Sequence, residues 1–378
     1  MLKAIKIRLY PTDQQVTYIN NLLGSCRFVY NQILAYKIAE YNNSKHNVNF
    51  PEMGKKLTSL KLENEWLKDS HSKVLQQSLI NLEQAYKSFF KNGNGFPKFK
   101  SRKENKQSCR FPVDAISGIV GNRINIIKQL KDIHFKCSRQ DEKYLNKNFN
   151  LIKSGTLTKT KDNKFYFSIL IDKPNTKQLP TTDKIIGIDL GIKDFIVCSD
   201  GNKFENIKVK RTNQEKLKRL NQLLSRKQKG SKNRNKARIK LAKFHNKLNN
   251  IKENYLHQVV NQLLNENQVI IMENLNVSGM LKNHNLAKAI QELSLNKFKT
   301  ILKYKAEWCG RDIIQIDRFY PSSKLCSNCG YKNNDLTLDV RQWTCHECKT
   351  NHDRDLNASK NILKEGLKIL KIGLSSPK

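Results

Sequence analysis

The sequence predicts a mixed fold: a β-barrel interrupted by a helical insertion, then an α/β unit carrying a small cysteine module. Three observations lead there. An alternating strand at the N-terminus is followed by helical periodicity and then by a run of short strands. Beyond a polar, proline-bearing stretch, apolar strands alternate with helices. Two CxxC pairs lie close together near the C-terminus.

Ile5, Ile7 and Leu9 alternate with Lys6, Arg8 and Tyr10, the pattern of a half-buried strand with a basic outer face. Pro11 ends it, and Thr12 with Gln15 has capping-box spacing. Ile19, Leu22, Leu23, Cys26, Val29, Tyr30, Ile33 and Leu34 then recur at helical intervals. A second helix is expected from Ser72 to Phe90, with Leu75, Leu79, Leu82, Ala85, Tyr86 and Phe89 on one side. Gly93, Gly95 and Pro97 break it, and Phe96 to Lys100 alternates aromatics with lysines. From Cys109 to Lys173 the signals are short strands. One runs through Val120, Ile124 and Ile126, and another spans Phe165 to Ile171 after a turn at Asp162-Asn163. Lys173 to Asp183 reads as a linker.

The second unit opens with a strand, Ile185 to Leu190, and a hairpin partner, Phe195 to Ser199. A basic helical region follows from Asn213 to Leu264, with Gly230 as its interruption. A buried strand (Val269 to Met272), a helix (Leu286 to Cys309) and a strand (Ile313 to Ile316) precede the cysteine module. A last amphipathic helix uses Leu356, Ile362, Leu363, Leu367 and Ile369.

Charge narrows the partners. The 378 residues carry 70 Lys+Arg against 33 Asp+Glu, a net charge of +37. A surface this basic repels itself unless a polyanion covers it, and a small acidic metabolite needs no such field. Nucleic acid is the first candidate and an anionic membrane the second. The basic residues are 55 Lys and 15 Arg, a bias that AT-rich coding produces, but coding does not explain why acids are so few. No apolar run approaches the ~18 residues of a membrane span, and the N-terminus has no signal-peptide core. Hydrophobic content of 38% suffices for two or more cores. Of nine cysteines, four form the CxxC pairs, while Cys26, Cys109, Cys137, Cys198 and Cys309 are scattered. That usage suits a reducing, cytoplasmic setting and a metal site rather than a disulfide framework.

Cys326-x2-Cys329 and Cys345-x2-Cys348 can set four thiolates around one Zn²⁺; with no open position the site is structural. His346 and His352 lie nearby, but four cysteines suffice. The second signal is three carboxylates. Asp189 sits in the apolar run Gly187-Ile188-Asp189-Leu190-Gly191, Glu273 ends Val269-Ile270-Ile271-Met272, and Asp355 opens the last helix. An acid in a buried strand is costly unless a cation compensates it, and three converging at strand ends would hold two Mg²⁺ ions. Each also has a plainer role. Asp355 would serve as a helix cap, with Asp353 its rival; Glu273 would be a surface acid; Asp189 would pair with a lysine, with Asp194 nearby.

Read together, the segments resemble the TnpB proteins of bacterial insertion sequences, the OrfB family, relatives of type V CRISPR effector nucleases. The resemblance rests on KIRLYPTDQQ (6–15), GSCRFVYNQ (24–32), LQQSLINLEQAYKSFF (75–90), GFPKFKSR (95–102), GIDLGIKDF (187–195), MENL (272–275), FYPSSKLCSNCG (319–330) and HDRDLNASKNI (352–362), in family order along almost the whole chain. It implies a RuvC-like nuclease domain of the RNase H fold at 184–320 and 353–372, with a zinc-finger insertion at 321–352 and a tail at 373–378. It also implies a wedge-type β-barrel at 1–10 and 103–176, split by a helical recognition domain at 11–102. The family's catalytic acids map onto Asp189, Glu273 and Asp355, which favours Asp355 over Asp353. Lys349 stands where the family often has glycine, and Ser359 where it often has alanine. Neither touches a metal-binding side chain.

The implied activity is RNA-guided cleavage of double-stranded DNA beside a transposon-adjacent motif. The guide is RNA from the transposon end, the protein a monomer in that complex, and the reaction two-metal phosphodiester hydrolysis. Between Lys208 and Lys252 there are 17 basic residues and one acid, Glu215. This segment, with Arg226 and Lys227, is expected to line a heteroduplex channel or hold the RNA scaffold; a solvated helix face is the alternative. Phe96, Lys98, Phe99 and Lys100 would stack on bases and hold phosphates, unless both phenylalanines are core. Arg27, Asn31 and Gln76 are candidate readers of the adjacent motif, Gln76 by pairing with an adenine edge or else as plain surface. Arg354 would contact the scissile phosphate or brace Asp353. A nuclease-inactive RNA-guided repressor and a DNA-only transposase or recombinase are the competing readings.

Overall fold

Alternating apolar and basic residues make Leu2–Tyr10 the first strand, β1, with Ile5, Ile7 and Leu9 buried. Thr12 then starts helix α1 (Asp13–Ser44) with both halves of the capping box formed. Its buried face holds Ile19, Leu22, Leu23, Cys26, Val29, Tyr30, Ile33 and Leu34, as the periodicity requires. Helix α2 (Phe50–Glu63) has no counterpart in the sequence expectation, although Asn49 and Glu52 form a second capping box around Pro51. Helix α3 (Ser72–Asn92) ends at Gly93, whose φ of 62° closes the last turn. Six strands and one helix complete this unit: β2 (Lys106–Pro112), β3 (Gly118–Val120), β4 (Arg123–Asn125), β5 (Ile133–Lys136), α4 (Arg139–Lys147), β6 (Ile152–Thr160) and β7 (Phe165–Asp172). The computed structural model describes residues 1–103, 106–173, 178–337 and 339–375. Parts of the expected linker (174–177) and tail (376–378) therefore lie outside the described residues. By contacts the chain divides into Met1–Pro174 and Asn175–Lys378.

In the first unit seven strands form one sheet in the order β2-β6-β7-β1-β5-β4-β3. The expected barrel is corrected here. The sheet is open, with β2 and β3 as edges and no register joining them among the described residues. Helices occupy both ends instead. α1 and α3 pack against β2, and Asn146 of α4 exchanges two hydrogen bonds with the Gly121 backbone at the β3–β4 turn. That turn is a second correction, because Gly121 at φ 56° splits the strand expected through Val120, Ile124 and Ile126 into a hairpin. Phe96 and Phe99 are also not core; they are 44% and 57% exposed.

The second unit starts with β8 (Ile185–Asp189), β9 (Asp194–Cys198) and β10 (Lys203–Glu205), a meander. Next come α5 (Val209–Thr212), α6 (Gln214–Ser225) and α7 (Lys232–Glu266), the last two separated at Gly230 as expected. After β11 (Val269–Glu273) and α8 (Val277–Met280), the single helix expected to Cys309 is two, α9 (His284–Leu293) and α10 (Leu295–Cys309). They break at Ser294, which takes a left-handed φ of 55°. The unit closes with β12 (Asp312–Ile316), the hairpin β13 (Gln342–Thr344) and β14 (Asn351–Asp353), and α11 (Arg354–Ser375). The sheet order is β10-β9-β8-β11-β12. β8, β11 and β12 are parallel, while β9 and β10 are antiparallel to their neighbours. No described helix is long and apolar enough to cross a membrane.

Helix α11 packs on β8 and β11 at backbone distance, and two glycines permit it. A Cβ on Gly187 of β8 would lie 2.7 Å from the Leu363 amide nitrogen and closer still to the Ser359 carbonyl oxygen. A Cβ on Gly366 would meet the Ile271 side chain, with Cγ1 at 2.9 Å. Ser359 is fully buried there, and its hydroxyl is satisfied by donating to the Leu356 carbonyl oxygen at 2.8 Å. Gly187→Ala should force α11 off the sheet and cost about 1–3 kcal/mol. Urea unfolding of the purified variant checks this, and an unchanged midpoint would refute the close approach.

Candidate active site and zinc module

In an open sheet with parallel strands, ligands bind where successive connections leave in opposite directions, at the carboxyl ends. Here that point lies between β8 and β11. β8 turns back into β9 on one side, while its parallel neighbour on the other side is β11. The register pairs Ile188 with Met272, so the next residues, Asp189 and Glu273, end adjacent strands together. Helix α11 lies on β8 and carries Asp355 in its first turn. The charges of the other two acids reach Asp189. Burial first, then the charges of Glu273 and Asp355, push the Asp189 carboxyl up to about 7. Burial also raises Glu273, against the opposing hydrogen bond from Ser322 and the charge of Lys299.

Each of the other two acids has its own partner. Ser322 Oγ donates to Glu273 Oε1. Arg341 Nη1 approaches both Asp355 oxygens, at 3.3 and 3.4 Å. Among the described residues the acids do not form a tight chelating group, as the four cysteines do. They are an all-oxygen set in which burial, helped by the charges of Glu273 and Asp355, raises Asp189 to about 7, the donor chemistry a hard divalent cation suits. The rivalry at the helix start resolves. Asp353 Oδ1 accepts from the amides of Asp355 and Leu356, both at 3.1 Å, and Lys203 pairs with its other oxygen at 3.0 Å. Asp353 is thus the cap, which leaves the Asp355 carboxylate to the acid cluster. Arg354 donates to the Thr337 carbonyl oxygen at 3.3 Å, and its charge lowers the proton affinity of Asp189.

Asp189→Asn removes the repulsion. A raised native value means that the folded state holds this proton more tightly than the unfolded chain does. Native stability therefore declines as pH rises from about 4 towards 7. Without added divalent cations, the variant should melt a few degrees above the wild type at pH 8 and level with it at pH 4. A melting gap that does not widen with pH would contradict the assignment.

The cysteine module adjoins this helix. Cys326 Sγ lies 3.5 Å from Cys348 Sγ, and Cys329 Sγ lies 3.6 Å from Cys345 Sγ. A tetrahedral zinc site with ~2.3 Å bonds has edges of about 3.8 Å, so the four sulfurs fit one ion. The Thr350 hydroxyl and amide draw the Cys348 thiol down towards the thiolate, while its cysteine neighbours push Cys329 the other way. His352 is not in the four-sulfur set. Its Nε2 lies 3.1 Å from Cys326 Sγ, and its ring lies 4.8 Å from that of Trp343. Lys349 takes a left-handed φ of 58°, a conformation that favours glycine and leaves lysine mildly strained.

The module and α11 share hydrogen bonds that sequence reasoning missed. Asn357 accepts from Ser327 N (2.8 Å) and donates to Leu325 O (2.7 Å). Asn361 donates to Ser322 O (2.8 Å) and Leu325 O (2.6 Å). Two asparagines four apart on one helical face were a readable signal; Arg341 and Ser322 carried none. The first zinc knuckle therefore grips the helix that bears Asp355, and β14 leads directly into it. Cys345→Ser should lose the single zinc in metal analysis and lower the melting temperature, while zinc-free wild-type protein would refute the module.

The other sequence candidates scatter. Arg27 and Lys100 line a small cleft of the first unit, but Gln77 and Asn81 join them and Gln76 is exposed outside it. Asn31 serves the backbone, exchanging hydrogen bonds with Lys100 N (2.8 Å) and O (3.0 Å). Lys98 is exposed, and Lys100 Nζ lies 3.9 Å from the Tyr30 ring centre. In the second unit α6 and α7 form a hairpin whose small core is Val209, Leu220, Phe244 and Leu248. Arg234 closes its turn, donating to the carbonyls of Leu224 and Lys227. Arg226, Lys227 and most other basic residues of the hairpin face outward.

The second unit is thus an α/β sheet of parallel and antiparallel strands, with acids at its switch point and a four-cysteine module beside them. The cryo-EM structure of a Cas12f1-sgRNA-target DNA complex aligns over 96% of this chain and 98% of that one, with a TM-score of 0.59 at 14% identity, a likeness of fold. The pattern for OrfB of IS605, described as "Probable transposase", matches residues 168–284, and the "Cas12f1-like, TNB domain" matches 296–362. A protein of Streptomyces pristinaespiralis named "Putative RNA-guided DNA endonuclease" is 34% identical, covering 97% of this chain and 89% of the relative. One of Escherichia coli K12 named "Putative RNA-guided DNA endonuclease InsQ" is 30% identical over 98% and 94% of the two chains. The chain belongs to the OrfB family of IS605-type insertion sequences, the TnpB proteins. A "Helix-turn-helix domain" pattern also matches residues 1–46, but the structure has there a strand and one uninterrupted helix, β1 and α1.

Proposed function

We propose that the protein is an RNA-guided DNA endonuclease that cuts double-stranded DNA beside a transposon-adjacent motif. One observation carries the reading: Asp189 and Glu273 end adjacent parallel strands at the switch point of the second-unit sheet, and the first turn of α11 brings the Asp355 charge to bear on Asp189. The names of its full-length relatives support the guide and the substrate. The strand order, three antiparallel strands flanked by two parallel ones, supports a RuvC-like RNase H domain with the cysteine module as its insertion. Residues 1–10 and 103–176 would be the wedge, here an open sheet, and 11–102 the recognition helices.

Asp189, Glu273 and Asp355 would hold magnesium, which supplies water activation and charge neutralisation at a phosphodiester when bound. Asp189 is central, because the charges of both other acids reach it. Asp353 and Lys203 fix the start of α11 and hence the reach of Asp355. Arg354 and Arg341 bring positive charge to the side where a scissile phosphate would sit. The outward lysines and arginines of α6 and α7, including Arg226 and Lys227, would hold guide or heteroduplex backbone. The products would carry 5′-phosphate and 3′-hydroxyl ends.

Asp189→Ala is expected to reduce cleavage of a matched plasmid by at least about a thousandfold, while guide and target binding stay within twofold. Cleavage at the wild-type rate would overturn the assignment.

A further inference from the structure

The buried face of the first-unit sheet changes chemistry at one end. Alternation puts Lys3 on the same face of β1 as the buried Ile5, Ile7 and Leu9. On β7 the buried row Phe165, Phe167, Ile169 and Ile171 continues, two residues on, to Lys173. Lys3 is paired in register with Ile171, and the Lys173 amide donates to the Met1 carbonyl oxygen at 2.9 Å. Two adjacent strands therefore end their apolar faces in ammonium groups. Helix α4 covers this end with Leu145 buried and adds Lys143 and Lys147, exposed and one turn apart. The result is a cleft of about 240 Å³, lined by Lys3, Lys143, Lys147, Lys173, Gln140 and Tyr144.

Asp141 also lines it, one carboxylate against four ammonium groups. Burial first, then the charge of Lys3, hold the Lys173 ammonium below its ordinary range, with Asp141 opposing. Lys173 Nζ lies 4.7 Å from the Tyr144 ring centre, and the Tyr144 hydroxyl is buried with no hydrogen-bond partner. Four ammonium groups around one carboxylate give the cleft a net positive field that attracts an anion. A strand backbone suits a cleft whose lysines come from three elements in a row, because consecutive phosphates can each meet one of them.

We propose that the cleft between β1, β7 and α4 is a phosphate clamp that seats two or so consecutive phosphodiester groups of a nucleic-acid strand. It rests on the reading of the protein as a nucleic-acid enzyme and adds a sequence-independent grip far along the chain from the three acids.

The test is fluorescence anisotropy with the full-length protein, using oligouridylate RNA and oligothymidylate DNA over a salt series. The variants are Lys143→Gln with Lys147→Gln, and Lys3→Gln with Lys173→Gln. Lys55→Gln with Lys68→Gln is the control for lost charge. Each clamp pair should weaken one strand type about tenfold at fixed salt and flatten the plot of log affinity against log salt by roughly 1.4, the value for two single-strand phosphates. Loss confined to RNA marks the guide as occupant, and loss confined to DNA marks the target. The exposed pair on α4 keeps the test valid if the strand pair fails to fold. Wild-type binding with both clamp pairs matching the control would overturn the clamp alone; no wild-type binding to either strand would overturn the functional reading as well.

Discussion

The backbone contact between α11 and the two central parallel strands is the constraint on which the second unit depends. Gly187 and Gly366 remove the side chains that would separate them, and the helix then lies close enough to bring its first turn to the end of β8. Without that approach Asp355 would not reach Asp189, and the burial that raises Asp189 would be lost. The cluster stores electrostatic strain in a packed sheet, as sites that await a cation commonly do. The strain is confined: Ser322 restrains Glu273, Arg341 restrains Asp355, and Asp353 takes the capping work that would otherwise occupy a cluster acid.

The cysteine module is a splint for that geometry. It touches α11 through Asn357 and Asn361, through Arg341, and through the direct passage from β14 into the helix. Zinc at four sulfurs would therefore do more than hold a loop. It would fix the two knuckles that set the pitch and start of the helix bearing an acid. Metal binding of this kind is folding free energy, and here it is directed at one end of one helix.

Much of this was legible in the sequence because chemistry interrupted pattern. Asp189 and Glu273 stand out as acids in apolar strands, the cysteines by spacing, and α1 by an unbroken apolar stripe behind a capping box. What was not legible depended on geometry at single residues. The strand through Val120 became a hairpin because Gly121 turns left-handed, and the helix to Cys309 broke because Ser294 does. Neither residue type compels that conformation. The open edge of the first sheet depends on helices docking at both ends, which strand patterns do not report. Gln76 and Gln77 differ by a hundred degrees around α3, and only the packed helix shows that Gln77 lines the cleft beside Arg27 while Gln76 lies outside it. Helix α2 was readable from Asn49, Pro51 and Glu52, but polar flanks concealed its three buried apolar residues.

The three acids come from the first strand, the fourth strand and the final helix of one sheet domain. Such long separations make the site slow to close, since the chain must draw distant parts together before any contact rewards the loss of entropy. During synthesis, a chain with its first strands complete still lacks both the closing helix and its acid. The acid cluster is therefore complete only once the last helix has emerged from the ribosome.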